Sequence, residues 1–246
     1  MQSDIDWLNS DLRTLFRLTS DGRIERENDP DLSQGPRLWL GGCAAGNILG
    51  VRADVPGETA AELEALAAEE PPFAHPAVPR HFERYLAVLA RHRPVTHHNF
   101  GLIYDFPHNH PYSSNDDVRL VGSDTQEGEL LLATLSRSGM PAGLRDLGFR
   151  AVEDFWAPWC AALVDGEIAS LAFAARLSEV GAELGLVTVE AFRGRGLAAV
   201  ATAGWSRLAP LRPRTLFYST DRNNTASQRV AERLGLRPRG ATLRIS

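Results

Sequence analysis

Hydrophobic residues recur at helical spacing through the first part of the chain, as Ile5, Leu8, Leu12 and Leu15 do near its start. A period of about 3.6 residues is typical of amphipathic helices that pack on a core. The pattern predicts three helices, over residues 4–18, 56–69 and 81–91. Two short apolar segments predict a hairpin-like pair of strands, over residues 37–41 and 47–52. The first 112 residues are therefore predicted to be mostly helical.

The pattern changes after a segment rich in Pro and Asn, residues 107–117, which is typical of a loop. We take this loop as the boundary between two regions, residues 1–112 and residues 113–246. Beyond it the predicted order is strand, two helices, three strands, helix, strand, helix and strand. These elements are predicted at residues 118–121, 124–135, 142–155, 160–164, 168–175, 183–189, 196–208, 216–220 and 224–234, with the last strand in the tail through Ile245. The pair Asp165-Gly166 between two apolar strands favours a tight hairpin.

Composition narrows the class of protein. Hydrophobic residues make up 43% of the chain and charged residues 23%, as in ordinary globular proteins. The formal net charge of −5 argues against nucleic acid as a partner and allows an amine-bearing substrate. The start of the chain lacks the basic and apolar regions of a signal peptide, and no apolar run is long enough for a membrane span. With only Cys43 and Cys160, we expect a reduced, cytoplasmic protein without a membrane partner.

The segment Arg193–Ala198 has the features of an anion site. It stands between a predicted strand and a predicted helix, whose first N–H groups lack intrahelical acceptors and lie at the positive end of the helix dipole. Gly194 and Gly196 allow the backbone to approach a ligand closely, and Arg193 and Arg195 add positive charge. Such a turn suits a pyrophosphate. A basic surface turn and a dinucleotide fingerprint over residues 194–199 are the alternatives.

Two motifs in order favour a third interpretation. The run from Leu186 to Ala198 resembles the acyl-CoA motif of the GNAT N-acetyltransferases, and the run from Asp221 to Leu236 resembles the second signature of that superfamily. The resemblance covers roughly Val118 to the C-terminus. It implies an α/β (α+β) fold with a twisted mixed sheet flanked by helices, preceded by a largely helical N-terminal extension or small domain. It also implies acetyl-CoA as co-substrate and no metal.

The resemblance also implies which residues contact the coenzyme. Backbone N–H groups of the turn would hold the pyrophosphate, and the end of the motif strand would splay from its neighbour and pair with the pantetheine arm. Asn224 is either a cofactor contact or only a helix cap, and Ser227 is either a polar contact or a small residue at a close packing point. The implied cofactor-binding residues are Thr188, Val189, Arg193, Gly194, Arg195, Gly196, Leu197, Ala198, Asn224 and Ser227.

The two motifs identify the catalytic groups less directly than the coenzyme contacts. Many GNAT enzymes have a Tyr in the last helix that protonates the departing thiolate, at a position that matches Ala231 here. Tyr218 and Ser219, in the preceding strand, are the alternative candidates. Glu183 lies on the motif strand, where some GNAT enzymes keep a basic carboxylate, and the competing interpretation is a solvated strand-end Glu.

Several histidines precede the predicted boundary. His108 and His110 are spaced as a metal-chelating pair, although no third ligand has a matching position. A base or an acceptor-binding group among these histidines is the other interpretation, because the adjacent segment 104–107 is a candidate for the acceptor cleft. No metal is expected.

We therefore expect an N-acetyltransferase in which an amine attacks acetyl-CoA directly within a ternary complex. A non-catalytic CoA-binding module is the alternative, and an NAD(P)-dependent oxidoreductase is a further one. A small-molecule amine or a peptide N-terminus is the expected acceptor. The exact acceptor, the length of the acyl group and homodimer formation stay open. The role of residues 1–112 also stays open between covering the acceptor pocket, mediating dimerisation and forming a degenerate GNAT-like unit.

Overall fold

The computed structural model describes residues 2–112 and 118–246 of the chain. Seven α-helices lie in these residues: α1 (Asp4–Leu15), α2 (Gly57–Ala68), α3 (Phe82–His92), α4 (Gln126–Ser138), α5 (Ala142–Arg145), α6 (Leu197–Trp205) and α7 (Thr225–Arg233). Eleven strands lie there too: β1 (Phe16–Leu18), β2 (Ile24–Glu27), β3 (Leu38–Cys43), β4 (Gly46–Val51), β5 (His98–Phe106), β6 (Arg119–Gly122), β7 (Trp159–Val164), β8 (Glu167–Leu177), β9 (Gly181–Thr188), β10 (Thr215–Asp221) and β11 (Pro238–Ile245).

Nine of the strands form one mixed sheet, in the order β4-β3-β11-β5-β10-β9-β8-β7-β6. The contact between β9 and β10 is parallel, and the other neighbours in the sheet are antiparallel. β1 and β2 form a separate antiparallel pair. The predicted mixed sheet flanked by helices is confirmed.

Helices cover both faces of the sheet. On one face, which we call the α6 face, α6 and α7 pack over the middle strands and α2 and α3 pack over β3, β4 and β11. On the opposite face, which we call the α1 face, α1 packs over β3, β5 and β10, whereas α4 and α5 pack near β6, β7 and β8. Side chains alternate between the faces along each strand. Leu216 and Tyr218 therefore belong to the α6 face, and Phe217 belongs to the α1 face.

Side-chain caps define where two of these helices begin. The hydroxyl of Ser3 accepts a hydrogen bond from the Asp6 N–H at 3.1 Å, and the hydroxyl of Thr125 accepts one from the Gly128 N–H at 3.1 Å. Each cap satisfies a backbone donor that has no partner within its helix. α1 ends at Leu15 rather than at residue 18, because Phe16–Leu18 are extended and pair with β2.

The helix predicted over residues 142–155 is wrong over most of its length. α5 stops at Arg145, and a single 3₁₀ turn follows at Val152–Asp154. The Asp154 carboxylate accepts a hydrogen bond from the Ala151 N–H at 2.9 Å, which stabilises a turn in place of a helix. The apolar residues of this segment still reach the core, which explains the misleading pattern.

The N-terminal 112 residues contain more strand than predicted. The pair predicted at residues 37–41 and 47–52 is confirmed as β3 and β4, but β1, β2 and β5 were not predicted. β5 lies between β10 and β11, so strands from both sides of the predicted boundary pair in one sheet. The division between residues 112 and 113 stays a prediction, and part of its loop, residues 113–117, lies outside the described residues.

Among the helices formed by residues 2–112 and 118–246, none has both the length and the apolar character that crossing a membrane requires.

Candidate active site

The parallel strands β9 and β10 separate after a short contact. They pair over three residues, ending where Phe217 lies opposite Glu183. Beyond that point β9 continues along β8 as far as Thr188, while β10 continues along β5 as far as Asp221. A wedge therefore opens between the carboxyl ends of β9 and β10, as the splayed strand of the sequence analysis anticipated.

The edge of β9 in this wedge has free backbone groups. The Val189 N–H donates to the Ala169 carbonyl at 3.0 Å, so it points toward β8 and away from the wedge. Because backbone groups alternate in direction along a strand, the N–H and C=O of Thr188 point toward the wedge. The Thr188 hydroxyl lies 3.0 Å from the Ser170 hydroxyl, which itself donates to the Val187 carbonyl at 2.7 Å. Thr188, rather than Val189, therefore offers its backbone to a ligand.

A glycine-rich turn follows β9. After a 3₁₀ turn at Glu190–Phe192, the backbone reaches Gly196, which has a φ of +82° and immediately precedes α6. Few residues other than glycine adopt this conformation without strain. The Arg195 guanidinium lies 5.6 Å from the centre of the Phe192 ring. In a dinucleotide fingerprint the glycines would follow the strand directly, so the intervening 3₁₀ turn speaks against that alternative.

A cavity of about 710 Å³ lies between β9, α6 and α7. Eight of the ten predicted cofactor-binding residues line it: Thr188, Arg193, Gly194, Gly196, Leu197, Ala198, Asn224 and Ser227. Val189 and Arg195 are not among its lining residues. The cavity also contains residues that the sequence analysis missed, namely Leu147, Arg229 and Arg233. Spacing along α7 could have indicated both arginines, because they lie three residues after Ala226 and Val230, respectively, and so share one side of that helix with them.

Asn224 and Ser227 hold the beginning of α7 at the cavity wall. The Asn224 side-chain oxygen accepts a hydrogen bond from the Ser227 N–H at 3.0 Å, so the predicted cap is present. The Ser227 hydroxyl lies 2.9 Å from the Tyr218 hydroxyl. Both residues thus have structural partners and line the cavity at the same time.

Tyr218 is buried beneath α7 on the α6 face. Only 2% of its surface is exposed, and burial raises the pKa of Tyr218 to about 12 although the hydrogen bond with Ser227 acts in the opposite direction. The ring lies edge-on to Tyr104. Ala231 is fully buried in the same core cluster. Tyr218 therefore reaches the α7 wall through Ser227 but does not line the cavity itself.

Glu183 and Ser219 point to the α1 face, so the three predicted catalytic residues are not brought together. Glu183 is 6% exposed and accepts a hydrogen bond from the Arg176 guanidinium at 2.8 Å. The competing interpretation of the sequence analysis, a solvated strand-end Glu, is therefore wrong, because Glu183 is buried in an ion pair. The Ser219 hydroxyl is buried and finds no hydrogen-bond partner among the described residues.

Residues far away in the chain surround Glu183. Glu27 of β2 accepts from Arg176 at 2.5 Å and also from Arg244 of β11. Asp11 of α1 is fully buried, and neither of its carboxylate oxygens finds a partner among residues 2–112 and 118–246. Burial, and secondarily the nearby charge of Glu183, raises the pKa of Asp11 well above its usual range. This network neutralises Glu183 and does not expose it to the cavity.

His108 and His110 form hydrogen bonds with backbone groups. The His110 Nε2 lies 2.7 Å from the Leu234 carbonyl, and its Nδ1 accepts from the Tyr112 N–H at 3.2 Å. His108 Nε2 lies 2.8 Å from the Arg214 carbonyl. Across the described ranges no cluster of three or more His, Cys, Asp or Glu side chains is arranged to hold a metal ion. The two histidines fasten the loop after β5 to α7 and to the segment before β10.

Comparison with known proteins gives one extended match. The family model of the acetyltransferase (GNAT) domain matches residues 76–237. No curated protein matches the chain significantly.

The solved structures that the chain matches are distant from it in sequence. A GCN5-related N-acetyltransferase from Kribbella flavida is 16% identical, with 65% of this chain and 62% of that chain covered and a TM-score of 0.43. A GCN5-related N-acetyltransferase-like protein from Streptococcus suis is 18% identical over 61% of this chain and 63% of that chain, with a TM-score of 0.39. A GNAT-family acetyltransferase from Colwellia psychrerythraea is 16% identical over 80% and 75%, with a TM-score of 0.42. The first two matches span less than two thirds of the solved chains, and the family assignment rests on the domain match.

Proposed function

The chain belongs to the acetyltransferase (GNAT) family, whose domain spans residues 76–237, and we propose that it transfers an acetyl group from acetyl-CoA to the nitrogen of an amine. One observation carries the proposal. The cavity lies where β9 separates from β10 and where a glycine-rich turn begins α6, so a single ligand can contact a free strand edge and a helix N-terminus.

The residues around α6 fit the pyrophosphate of the coenzyme. The first N–H groups of α6 have no intrahelical acceptors and face the cavity end at Leu197 and Ala198. A Cβ on Gly196 would lie 2.5 Å from Arg233 Nη1, so the glycine leaves room for a ligand to approach the N-terminus of α6. Arg193 adds a positive charge from the turn. We assign pyrophosphate binding to these groups.

The wall next to β9 fits the pantetheine arm. Leu147, Leu186 and Val230 make that side of the cavity apolar, which excludes water from the reacting centre. When bound, the coenzyme supplies a thioester whose carbonyl carbon accepts the amine nitrogen. The Thr188 N–H, directed into the wedge, is the donor that we assign to the thioester oxygen. We assign a small-molecule amine or a peptide N-terminus as the acceptor.

The pKa of Tyr218 and the ion pair of Glu183 bear on which groups could transfer protons during the reaction. A pKa of about 12 makes Tyr218 a weaker acid than an ordinary thiol, whose pKa is about 8.5. Transfer from Tyr218 to a thiolate is uphill by about 5 kcal/mol on that difference. Tyr218 is therefore proposed to orient Ser227 rather than to donate the proton. Glu183 is held by Arg176, so we do not assign it the role of base.

Two measurements test the proposal. Isothermal titration calorimetry with acetyl-CoA should show stoichiometric binding, and incubation with a panel of amines should release free thiol. Absence of acetyl-CoA binding would overturn the proposal at its first step.

A non-catalytic CoA-binding role is the second candidate. It is favoured by Ala231, which is fully buried at the position where many relatives carry the acidic Tyr. Binding without thiol release across the whole amine panel would support that role, and turnover on any amine would exclude it.

A further inference from the structure

The cavity is lined by side chains that point to both faces of the sheet. Leu186 packs in the cluster of the α6 face, whereas Leu147 and Val187 pack in the cluster of the α1 face under α4 and α5. All three line the cavity, so it passes through the wedge between β9 and β10. We call the part at Leu147 and Val187 the α1-face end. Because the turn before α6 and the first turn of α7 line the opposite end, the α1-face end is left for a second ligand.

Aromatic side chains continue the apolar wall at the α1-face end. Phe173 of β8 lies opposite Gly185 of β9, and a Cβ on Gly185 would collide with the Phe173 ring. The ring therefore extends over the backbone of β9, next to the edge from which β10 has separated. The Trp156 ring lies edge-on to it, with ring centres 5.8 Å apart. Both rings are only half-buried, so part of each aromatic surface is open to a ligand.

The α1-face end offers a ligand few polar partners. Among the described residues, the charged side chains that line the cavity are Arg193, Arg229 and Arg233, and all three belong to the turn before α6 or to α7. Ser219 lies two residues beyond the last pair of β10 with β9, across the wedge from Gly185. Its buried hydroxyl has no hydrogen-bond partner in residues 2–112 and 118–246. One amine nitrogen can use that hydroxyl, whereas a second ammonium group would be buried without a counter-charge.

Resting on the proposed function, we propose that the α1-face end binds the acceptor and selects a small primary amine that carries an aromatic ring and no second charge. The ring packs on Phe173 and Trp156, since aromatic rings favour edge-to-face contacts of the kind that these two already form. The amine nitrogen then lies beside Ser219, on the side of the wedge opposite the coenzyme. Of the acceptors that the proposed function allows, this selects the small-molecule amine over the peptide N-terminus.

Rates of thiol release with matched amines test this assignment at saturating acetyl-CoA. The probes are phenethylamine, ethylamine, putrescine and trialanine, which differ in the ring, in the second charge and in the peptide backbone. Each kcat/KM is expressed per unprotonated amine, so that differences in basicity do not enter. The value for phenethylamine should exceed that for ethylamine at least about tenfold, the range expected when one aromatic group is buried. Putrescine and trialanine should react no faster than ethylamine.

Variants of Trp156 connect this preference to the α1-face end. Trp156→Ala should lower the ratio of phenethylamine to ethylamine by about threefold to tenfold, which is what one aromatic contact contributes. Calorimetry should show an unchanged affinity for acetyl-CoA. The Ala174 N–H donates to the backbone carbonyl of Trp156 at 3.3 Å, and this bond does not depend on the side chain. Trp156→Leu, which keeps an apolar side chain, should lower the ratio less and is used if the Ala variant melts at a lower temperature.

Phe82→Ala is the matched control. Phe82 is also a half-buried aromatic residue, but it packs against His98 and Phe100 and does not line the cavity. Its truncation should leave the ratio of the two amines unchanged. An equal loss of the ratio in Phe82→Ala and Trp156→Ala would overturn the inference, because the effect would then not come from the α1-face end.

The remaining outcomes separate this inference from the proposed function. Equal kcat/KM for phenethylamine and ethylamine, or the highest value for putrescine or trialanine, would overturn the inference while the released thiol still supported acetyl transfer. An unchanged ratio in both Trp156 variants would overturn it in the same way. Binding of acetyl-CoA without thiol release from any of the amines would overturn the proposed function, and the inference with it.

Discussion

The hydroxyl of Tyr218 lies 3.0 Å from the backbone carbonyl oxygen of Ser227 and 2.9 Å from its side-chain oxygen. Tyr218 stands on β10, just beyond the point where that strand separates from β9, and Ser227 stands in the first turn of α7. The contact therefore ties one wall of the cavity to the strand that opens it. Since Asn224 caps the same turn, the beginning of α7 is held from two sides.

Tyr218→Phe is expected to weaken the fold more than the chemistry. Removing the hydroxyl leaves the Ser227 groups without a buried partner, which costs about 1 kcal/mol in the free energy of unfolding. The maximal rate should fall less than tenfold, because the pKa of about 12 already makes this phenol a poor acid. Thermal melting and steady-state kinetics check both statements. A hundredfold loss of kcat at an unchanged melting temperature would show instead that Tyr218 is the acid.

Asp11→Asn is expected to change how stability depends on pH. The pKa of Asp11 is raised in the folded protein, so the folded state binds a proton that the unfolded state releases above about pH 3.9. Stability then decreases as pH rises from that value to the folded-state pKa, by at most about 1.4 kcal/mol per pH unit. The Asn variant should flatten this slope and gain stability relative to the unmodified protein as pH rises.

Urea unfolding at several pH values between 4 and 9 measures the slope. Asp31→Asn is the matched control, because Asp31 is exposed. A parallel slope in the Asp11 variant and in the unmodified protein would show that Asp11 does not carry the proton.

Gly196→Ala is expected to reduce coenzyme affinity beyond its effect on the fold. At the positive φ of Gly196 a side chain strains the backbone and lowers the free energy of unfolding by about 1 kcal/mol. The new Cβ would also contact Arg233 at the N-terminus of α6. Gly139→Ala serves as the control. Gly139 has a φ of +81°, has open space around it and lies outside the cavity. Both variants should lose stability, and the Gly139 variant should lose more, because its φ of +81° and ψ of 162° lie in a region that is essentially confined to glycine. Only the Gly196 variant should lose affinity by calorimetry. Equal CoA affinity in the two variants would show that the pyrophosphate lies elsewhere.

Glu183→Gln is expected to lower the stability of the fold without changing the pH dependence of the reaction. The change removes a buried partner of Arg176 and leaves that guanidinium with Glu27 alone, at a cost of roughly 1–3 kcal/mol. The pH profile of kcat/KM should keep its acidic limb, since Glu183 is not assigned as the base. Loss of that limb in the variant, with the melting temperature preserved, would identify Glu183 as the catalytic carboxylate.

The parts of the site that sequence predicts well are those built from neighbouring residues. The turn at Arg193–Ala198, the α7 cap at Asn224 and the separation of β9 from β10 all lie in one continuous stretch. Local signals are sufficient there, because a glycine-rich turn before a helix has the same physical consequences in any fold. These are also the residues around which the cavity forms.

The parts that were missed depend on contacts between distant segments. The charge of Glu183 is decided by Arg176 and by Glu27 and Asp11 from the N-terminal region, and no spacing in the sequence indicates that they meet. β5 did carry a signal, because Phe100, Leu102, Tyr104 and Phe106 alternate with more polar residues at the period of a strand. The many histidines nearby drew attention to chemistry where the pattern indicated structure.

The position of β5 between β10 and β11 sets an order of events during synthesis. β5 is synthesised long before the two strands that flank it, and β3 likewise lacks β11 as its neighbour until residues 238–245 are made. Pairing between such distant segments is slow, because a long loop must close before any contact forms. The edges of β3 and β5 that face β11 therefore have no partner strand until β11 is made, and pairing with β11 then joins the two parts of the nine-stranded sheet.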